Sequence, residues 1–391
     1  MVSNVYYWAY LLAGLLAFWN LPDRMRPGLM LALSLGWLGY HAPNQTLLLG
    51  LGATGTWAIL RGFRDREGRS PLLVLAVGLA VILGALKFRP LIAPDVPYAE
   101  MIASGFIPLG FSYLAFRAIH VLIEVRRKQL PVPSLILFLG YLFFLPAYTA
   151  GPIDRLNRFA LPSGRVNSAD LYSGIERIAV GVIKKFVFAE GLLLMAASTP
   201  SLKSALIADH SESSTALFWT ATSIAYLRIY LDFAAYSDIA LGTARLFGVT
   251  LMENFNAPIL ATNPSDFWRR WHISLSTWCQ HYVYMPAIGW LRNPYIPLTV
   301  SFLAMGLWHW VTLNRVGWAL YNAGGVAGYM LWNRWMNRVR PGPWRRSPFW
   351  VAPAWLGTQA FVCGSIVFFM NGEDQSLGDS LKLLGRLVGI R

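Results

Sequence analysis

The feature that most limits what this chain can fold into is a series of long apolar runs with few charges inside them. A helix that crosses a bilayer needs about 20 mostly apolar residues. The runs 4–21, 72–92, 102–124, 134–151, 214–231, 295–313, 315–333 and 349–370 are candidates for that role. Backbone groups inside hydrocarbon must be satisfied within the segment, so such runs become helices. Two further stretches are less regular. The stretch 28–60 is broken by His41-Ala42-Pro43-Asn44-Gln45 and predicts a tilted pair or a re-entrant hairpin, and 174–197 carries Lys184, Lys185 and Glu190. The expectation is an all-α, polytopic membrane protein with roughly nine to twelve embedded helices, built as one domain over residues 1–391. The first run, Val5 to Trp19, has neither a basic leader nor a small-residue cleavage site, which predicts a retained span.

Composition excludes the soluble alternative. Of the residues, 55% are hydrophobic and 13% charged, against roughly a quarter charged in soluble domains. The net charge of +14 would suggest nucleic acid on a soluble protein, but here the basic residues collect between apolar runs. One cluster is Arg61, Arg64, Arg66 and Arg69, with Asp65 and Glu67 among them; others are Arg126, Arg127 and Lys128, and Arg334, Arg338, Arg340, Arg345 and Arg346. That pattern marks loops facing the cytoplasm and anionic lipid, and argues against a nucleic-acid partner. The loops around 23–27, 61–70 and 126–131 are basic, whereas 41–45 and 93–100 are not, the latter carrying Asp95 and Glu100. The alternation puts the N-terminus outside the cytoplasm. Cys279 and Cys363 have neither metal-ligand nor disulfide spacing and read as packing residues.

Interior prolines and glycines are frequent. Broken helices survive at membrane depth only against protein or a wet cavity, so half-helices and an internal cavity are expected. Residues 199–213 and 337–348 read as polar loops.

Three segments carry candidate chemistry. His309 is the one histidine in a nearly apolar run, flanked by Trp308 and Trp310. An ionisable group there needs a partner or water, and imidazole suits proton transfer near neutral pH. It is read either as a general base in a buried cavity or as a structural hydrogen-bonding group. In 263–278, Pro264, Ser265 and Asp266 read as a helix start. Trp268, Trp271, Leu275 and Trp278 recur at three and four residues, which predicts one amphipathic interfacial helix with Arg269 and Arg270 off the stripe. With His272, the two arginines are a possible anion site. In Tyr230–Asp238, Asp232 and Tyr236 share a helix face and Asp238 points away. Structural pairing with Arg228, Arg245 or the Arg269–Arg270 pair is the favoured reading. Lys184 and Lys185 are read equally as contacts for donor phosphates or as snorkelling anchors. His120 reads as a satisfied core histidine, and His41, His210 and His281 as loop or interface residues.

These stretches resemble the membrane-bound O-acyltransferase family. The nearest branch is the bacterial one that serves alginate O-acetylation and D-alanylation of teichoic acid. The matching segments run in family order: Pro108–Tyr113, Ala150–Ile153, Gly181–Lys185, Tyr230–Ile239, Glu253–Asn256, Phe267–Ser276, Tyr282–Pro286 and Gly306–His309. They cover roughly residues 105–325. The resemblance implies a ring of transmembrane and re-entrant helices around a central tunnel in the inner membrane. It also implies His309 as the catalytic residue and His272 as a second functional residue. Two positions depart from the family pattern. Asn322 stands where relatives often carry a further histidine, and Trp310 where glycine is common.

The reaction implied is acyl transfer from a thioester to a hydroxyl. His309 would take the hydroxyl proton, with His272, a Trp308 or Trp310 indole, or backbone amides stabilising the oxyanion. Arg269, Arg270, Trp271, Trp308, Lys184, Lys185, Asp232, Tyr236, Asp238 and Asn322 are the candidate substrate contacts. No bound cofactor or metal is required, since acyl-CoA or an acyl-phosphopantetheinyl carrier protein arrives as cosubstrate. The expected acceptor is a hydroxyl of an exported polysaccharide or cell-envelope glycan, with envelope proteins and membrane lipids as partners. D-alanyl transfer toward teichoic acid is the alternative. A transporter or flippase would predict an inverted repeat, which the sequence does not display. A non-catalytic scaffold would predict that His309 is dispensable.

Overall fold

The computed structural model describes residues 4–63, 70–87, 96, 100, 108, 110–199, 214–339, 347–370 and 375–390. Arg64, Asp65, Arg66, Glu67, Arg69, Asp95, Leu109, His210, Arg340, Arg345 and Arg346 lie outside the described residues. So do most of the loops 199–213 and 337–348 and the start of the run 102–124. Among the described residues the regular structure is entirely helical.

The helices are α1 (Val5–Asn20), α2 (Arg26–His41), α3 (Pro43–Gly62), α4 (Ser70–Leu86), α5 (Phe111–Arg126), α6 (Leu135–Leu142) and α7 (Ser168–Val182). A π-helical stretch, Ile183–Leu193, continues α7. Next come α8 (Thr215–Leu246), α9 (Pro264–Arg270), α10 (Ile273–Cys279), α11 (Met285–Leu291), α12 (Tyr295–His309), α13 (Leu313–Val339), α14 (Pro348–Val367) and α15 (Leu377–Leu387). The chain forms two compact units. The first holds Met1–Leu83, Gly105–Val182 and Tyr236–Met252; the second holds Gly84–Ser104, Ile183–Ala235 and Glu253–Arg391.

Several boundaries differ from the hydropathy runs, each for a physical reason. The stretch 28–60 becomes α2 and α3, parted at Ala42, with Pro43 opening α3 where its missing N–H costs nothing. The run 134–151 is not one helix: α6 stops at Leu142, and one tight turn follows at Leu145–Ala147. The buried Arg117 makes this possible by donating to the carbonyls of Tyr141 (3.4 Å), Leu142 (3.3 Å), Ala147 (2.7 Å) and Pro152 (3.1 Å). A guanidinium with five donors replaces the lost helical hydrogen bonds. The run 214–231 instead extends to Leu246, and Asp232, Asp238 and Arg245 along it find partners inside the protein. Among the described residues, Phe349–Phe369 is the one helix both long and apolar enough to cross a membrane. Pro71–Leu86 and Leu135–Ala147 are apolar but shorter.

In the first unit, Tyr7 meets Trp37 edge-on at 5.2 Å, and Phe18 meets Phe247 at 5.3 Å. The Trp19 indole donates to the Leu246 carbonyl at 2.9 Å. Helices α7 and α8 cross through glycines: a Cβ on Gly242 would lie 2.6 Å from the Gly174 carbonyl oxygen. Small residues permit such close backbone approach.

In the second unit, α12 and α13 form a hairpin. A Cβ on Gly306 would sit 2.6 Å from the Arg315 carbonyl oxygen, so only glycine fits that crossing. Two apolar clusters pin the neighbouring elements: Tyr226, Ala261, Phe267, Val362 and Ile366 in one, and Phe218, Val367, Leu383 and Leu387 in the other.

Candidate active site

The predicted amphipathic helix over 263–278 is two half-helices. α9 ends at Arg270, α10 begins at Ile273, and His272 sits between them with φ +42°. A left-handed non-glycine residue costs roughly 1–2 kcal/mol, so the surroundings must hold it. Asn254 does so. Its Oδ1 accepts from Ser274 Oγ at 2.8 Å and lies 3.0 Å from His272 Nδ1. Its backbone carbonyl takes the Ile273 N–H at 2.9 Å, and the Asn256 N–H reaches the Arg270 carbonyl at 3.0 Å. Asn254 was not singled out from the sequence. Its one signal was its place in the matching segment Glu253–Asn256.

The break re-aims the aromatic stripe. Trp271 stacks on Phe267 at 5.4 Å and meets Phe255 edge-on at 5.2 Å, so it belongs to an aromatic core rather than an interfacial belt. Trp268 packs edge-on against Phe302 (5.0 Å) and Trp318 (5.8 Å). His272 is buried, and its Nε2 has no hydrogen-bond partner among the described residues. Its ring meets Phe233 at 4.8 Å and Trp308 at 6.1 Å.

His309 is the last residue of α12, and Trp310 turns to extended backbone immediately after it. Trp310 is buried, with Lys87 Nζ 4.6 Å from its ring centroid. The His309 ring is half-buried among Trp308 (4.5 Å), Phe369 (5.2 Å) and Trp318 (6.3 Å). Neither of its nitrogens makes a hydrogen bond among the described residues. Trp308 therefore touches both imidazoles.

The aromatic neighbours are themselves fixed. Arg315 lies 3.7 Å over the Phe369 ring and donates to the Phe368 carbonyl at 2.6 Å. Trp318 donates to Ser365 Oγ at 2.9 Å, and Asn322 Nδ2 bonds the same oxygen at 2.9 Å. Asn322 is fully buried and bonds the backbone of Trp318, a neighbour of His309, so it presents no surface to a substrate.

Two cavities approach this group. One, of about 370 Å³, is lined by Trp268, Arg269, Ile273, Phe302 and Met305 among others. The second, about 310 Å³, has Arg228, Asp232 and Phe369 in its wall. Trp318 touches Trp268 and Phe302, which line the first, and Phe369 lines the second. His309 is thus one aromatic layer from the first cavity through Trp318 and its neighbours, and one ring from the second.

The charged candidates divide. Asp232 pairs with Lys185 at 2.5 Å, and Lys185 also holds Glu190 at 2.9 Å. The partner of Asp232 is therefore a lysine on the π-helical stretch, not Arg228, Arg245 or the Arg269–Arg270 pair. Arg270 pairs with Asp266 at 2.9 Å; Arg269, mostly exposed, reaches the same carboxylate at 3.4 Å. Lys184 lies on the π-helical stretch beside Lys185. Tyr236 and Asp238 belong to the first unit. Tyr236 bonds Thr149, and Asp238 pairs with Arg177 at 2.6 Å. Arg245 holds Asp170 at 3.2 Å. His120 is buried and accepts the Leu156 N–H at 3.1 Å, as expected of a satisfied core histidine. Both cysteines are free and buried.

An imidazole with an open nitrogen can exchange a proton, and His309 shares its Trp308 neighbour with the buried His272. The model of the membrane-bound O-acyltransferase family matches residues 92–371, and the chain belongs to that family. It is an acyltransferase of a membrane-bound class. It is 30% identical over 281 residues to a teichoic acid D-alanyltransferase of Bacillus subtilis, covering 67% of this chain and 68% of the relative. It is 29% identical over 345 residues to a Pseudomonas syringae pv. tomato protein named "Probable alginate O-acetylase AlgI", covering 82% of this chain and 64% of the relative. A teichoic acid D-alanyltransferase of Lacticaseibacillus rhamnosus is 27% identical over 336 residues, with 80% of each chain covered.

Proposed function

We propose that this protein moves an acyl group, acetyl in the favoured case, from a thioester donor to a hydroxyl of an exported polysaccharide or cell-envelope glycan, or to a partner protein that completes the transfer. The observation that carries the reading is His309: an imidazole at a helix end with no hydrogen bond among the described residues, close to two cavities. A structural histidine is bonded; a general base keeps a nitrogen open for the substrate proton.

In the proposed step, His309 removes the hydroxyl proton while the oxygen attacks the thioester carbonyl. The C–O bond forms, the C–S bond breaks, and the proton passes from the imidazolium to the departing thiolate. General-base assistance of this kind contributes about 10²–10⁴ in rate. The His272 Nδ1–H is given to Asn254 Oδ1, so its unbonded Nε2, beside the same Trp308 ring, is an acceptor in the neutral ring, and the developing oxyanion would be met by an indole or backbone N–H. The donor is acyl-CoA or an acyl-phosphopantetheinyl carrier protein reaching the site from the cytoplasm. The proposed setting is a multi-pass protein of the inner membrane, its helices ringing a tunnel that lets donor and acceptor meet. A second reading, D-alanyl transfer toward teichoic acid, is favoured by the relatives of that name.

Mass spectrometry of ester groups on envelope glycans tests both. Cells carrying the protein should show O-acetyl or D-alanyl esters that disappear with His309→Ala at unchanged membrane abundance. Full ester content in that variant rejects the enzyme reading in favour of a scaffold.

A further inference from the structure

A general base that takes a proton from an alcohol takes one from water too, because both present an O–H. A site that transfers an acyl group, rather than hydrolysing the thioester, must therefore keep water from the base by shape. One ring stands where that is decided. Phe369 meets the His309 ring edge-on at 5.2 Å, and it also lines the 310 Å³ cavity. The same cavity has charged, accessible groups in its wall: Arg228 is exposed, and the Asp232 side chain is 49% exposed. A polar space of that size holds water. Phe369 is braced from several sides. The Arg315 guanidinium lies 3.7 Å over its ring, and Trp318 meets it edge-on at 5.7 Å. The turn that carries it is pinned too. The Phe368 carbonyl accepts from Arg315 at 2.6 Å and from Asn314 Nδ2 at 3.0 Å, and the Phe369 N–H donates to the Ile366 carbonyl at 2.8 Å. Arg315 and Asn314 are both buried. Two buried polar side chains thus fix where the ring stands.

We propose that Phe369 makes this site a transferase rather than a thioesterase, because its ring screens His309 from water in the 310 Å³ cavity. The inference rests on the acyl-transfer reading and deepens it by naming the residue that sets the choice of nucleophile. Phe369 is a positioning residue: it excludes water and exchanges no proton. A polymer acceptor brings binding energy that can displace a side chain, and a single water molecule does not. Without the ring, water attacks the thioester carbonyl. Its oxygen forms the new C–O bond, the C–S bond breaks, and His309 passes the proton from water to the departing thiolate. The products are a free carboxylic acid and a thiol.

The test uses the full chain in phosphatidylcholine nanodiscs with no acceptor added. It reads thiol release from acetyl-CoA and from the acetyl and D-alanyl thioesters of phosphopantetheine. The wild type should release thiol slowly. Phe369→Ala should release it roughly tenfold to a hundredfold faster, within what a general base contributes. Phe369→Leu, which fills more of the space, should gain less. A gain of turnover cannot come from misfolding. It should vanish when Phe369→Ala is combined with His309→Ala, and cells carrying Phe369→Ala should hold fewer glycan esters. Two results overturn the proposal: thiol release in Phe369→Ala no faster than in the wild type, or a gain that survives the loss of His309. If His309-dependent esters form in cells and Phe369→Ala does not leak, this inference fails alone. If neither esters nor thiol release depend on His309, the acyl-transfer reading fails with it.

Discussion

Two sets of buried polar groups, one in each unit, differ in how they are satisfied. Around Arg117 in the first unit, a guanidinium donates to four carbonyls, His120 accepts a backbone N–H, and the Asp154 carboxylate takes the Met252 N–H at 2.8 Å. Around His309 in the second unit, one imidazole has no hydrogen bond among the described residues and another keeps an unbonded Nε2. Satisfied polar groups make a rigid scaffold. An unsatisfied one costs free energy, about 1–3 kcal/mol for a neutral group, and is kept where a substrate supplies the missing partner. The same residue type, histidine, is structural in one place and a candidate for chemistry in the other.

Four substitutions test that contrast. His309→Ala should have the largest effect, at least a hundredfold loss of ester formation with an unchanged unfolding midpoint, read by glycan mass spectrometry and thermal denaturation. Retained turnover would break the comparison. Asn254→Ala should come next. It strands His272 Nδ1 and Ser274 Oγ and releases the left-handed turn, so turnover should fall about tenfold or more and stability by roughly 1–3 kcal/mol. His120→Leu should do the reverse. It leaves the Leu156 N–H unpaired, costing roughly 1–3 kcal/mol, while turnover per folded molecule stays within about twofold, since general-base chemistry does not pass through it. A large drop in turnover there would show that the first unit is no mere scaffold.

The smallest effect belongs to the exposed cap of α15. Ser376 and Asp379 form a reciprocal cap at its start, and hydrogen bonding to Ser376 lowers the Asp379 pKa from its ordinary value. A depressed carboxylate pKa stabilises the fold above the unfolded-state value and loses that contribution as pH falls through the folded one. Solvent screening keeps the term small. Protection of the α15 amides from hydrogen exchange should therefore decline modestly on acidification below the usual carboxylate range. Asp379→Asn should remove the pH dependence while leaving ester formation unchanged.

Apolar runs and broken-helix signals made the helical class legible before any coordinates. His309 stood out for a local reason, a lone ionisable group in an apolar run, and the Trp-Arg-Arg-Trp-His segment for its length. Both signals survive without knowledge of contacts. Asn254 was not legible, because an asparagine in an irregular segment looks the same whether it faces solvent or braces a turn. The periodicity of Trp268, Trp271, Leu275 and Trp278 suggested one continuous helix. Periodicity counts residues and cannot register that His272 reverses the sign of φ.

The sequence by itself determined that the chain is helical, that its apolar surface suits lipid, and that one imidazole had to be explained. Those follow from composition and local spacing, which belong to the chain wherever it folds. Tertiary structure decided which polar groups found partners. Lys185 took Asp232, Arg177 took Asp238 and Asn254 took His272, while Arg228 took none among the described residues. Pairing depends on which distant segments meet, and no local pattern encodes that.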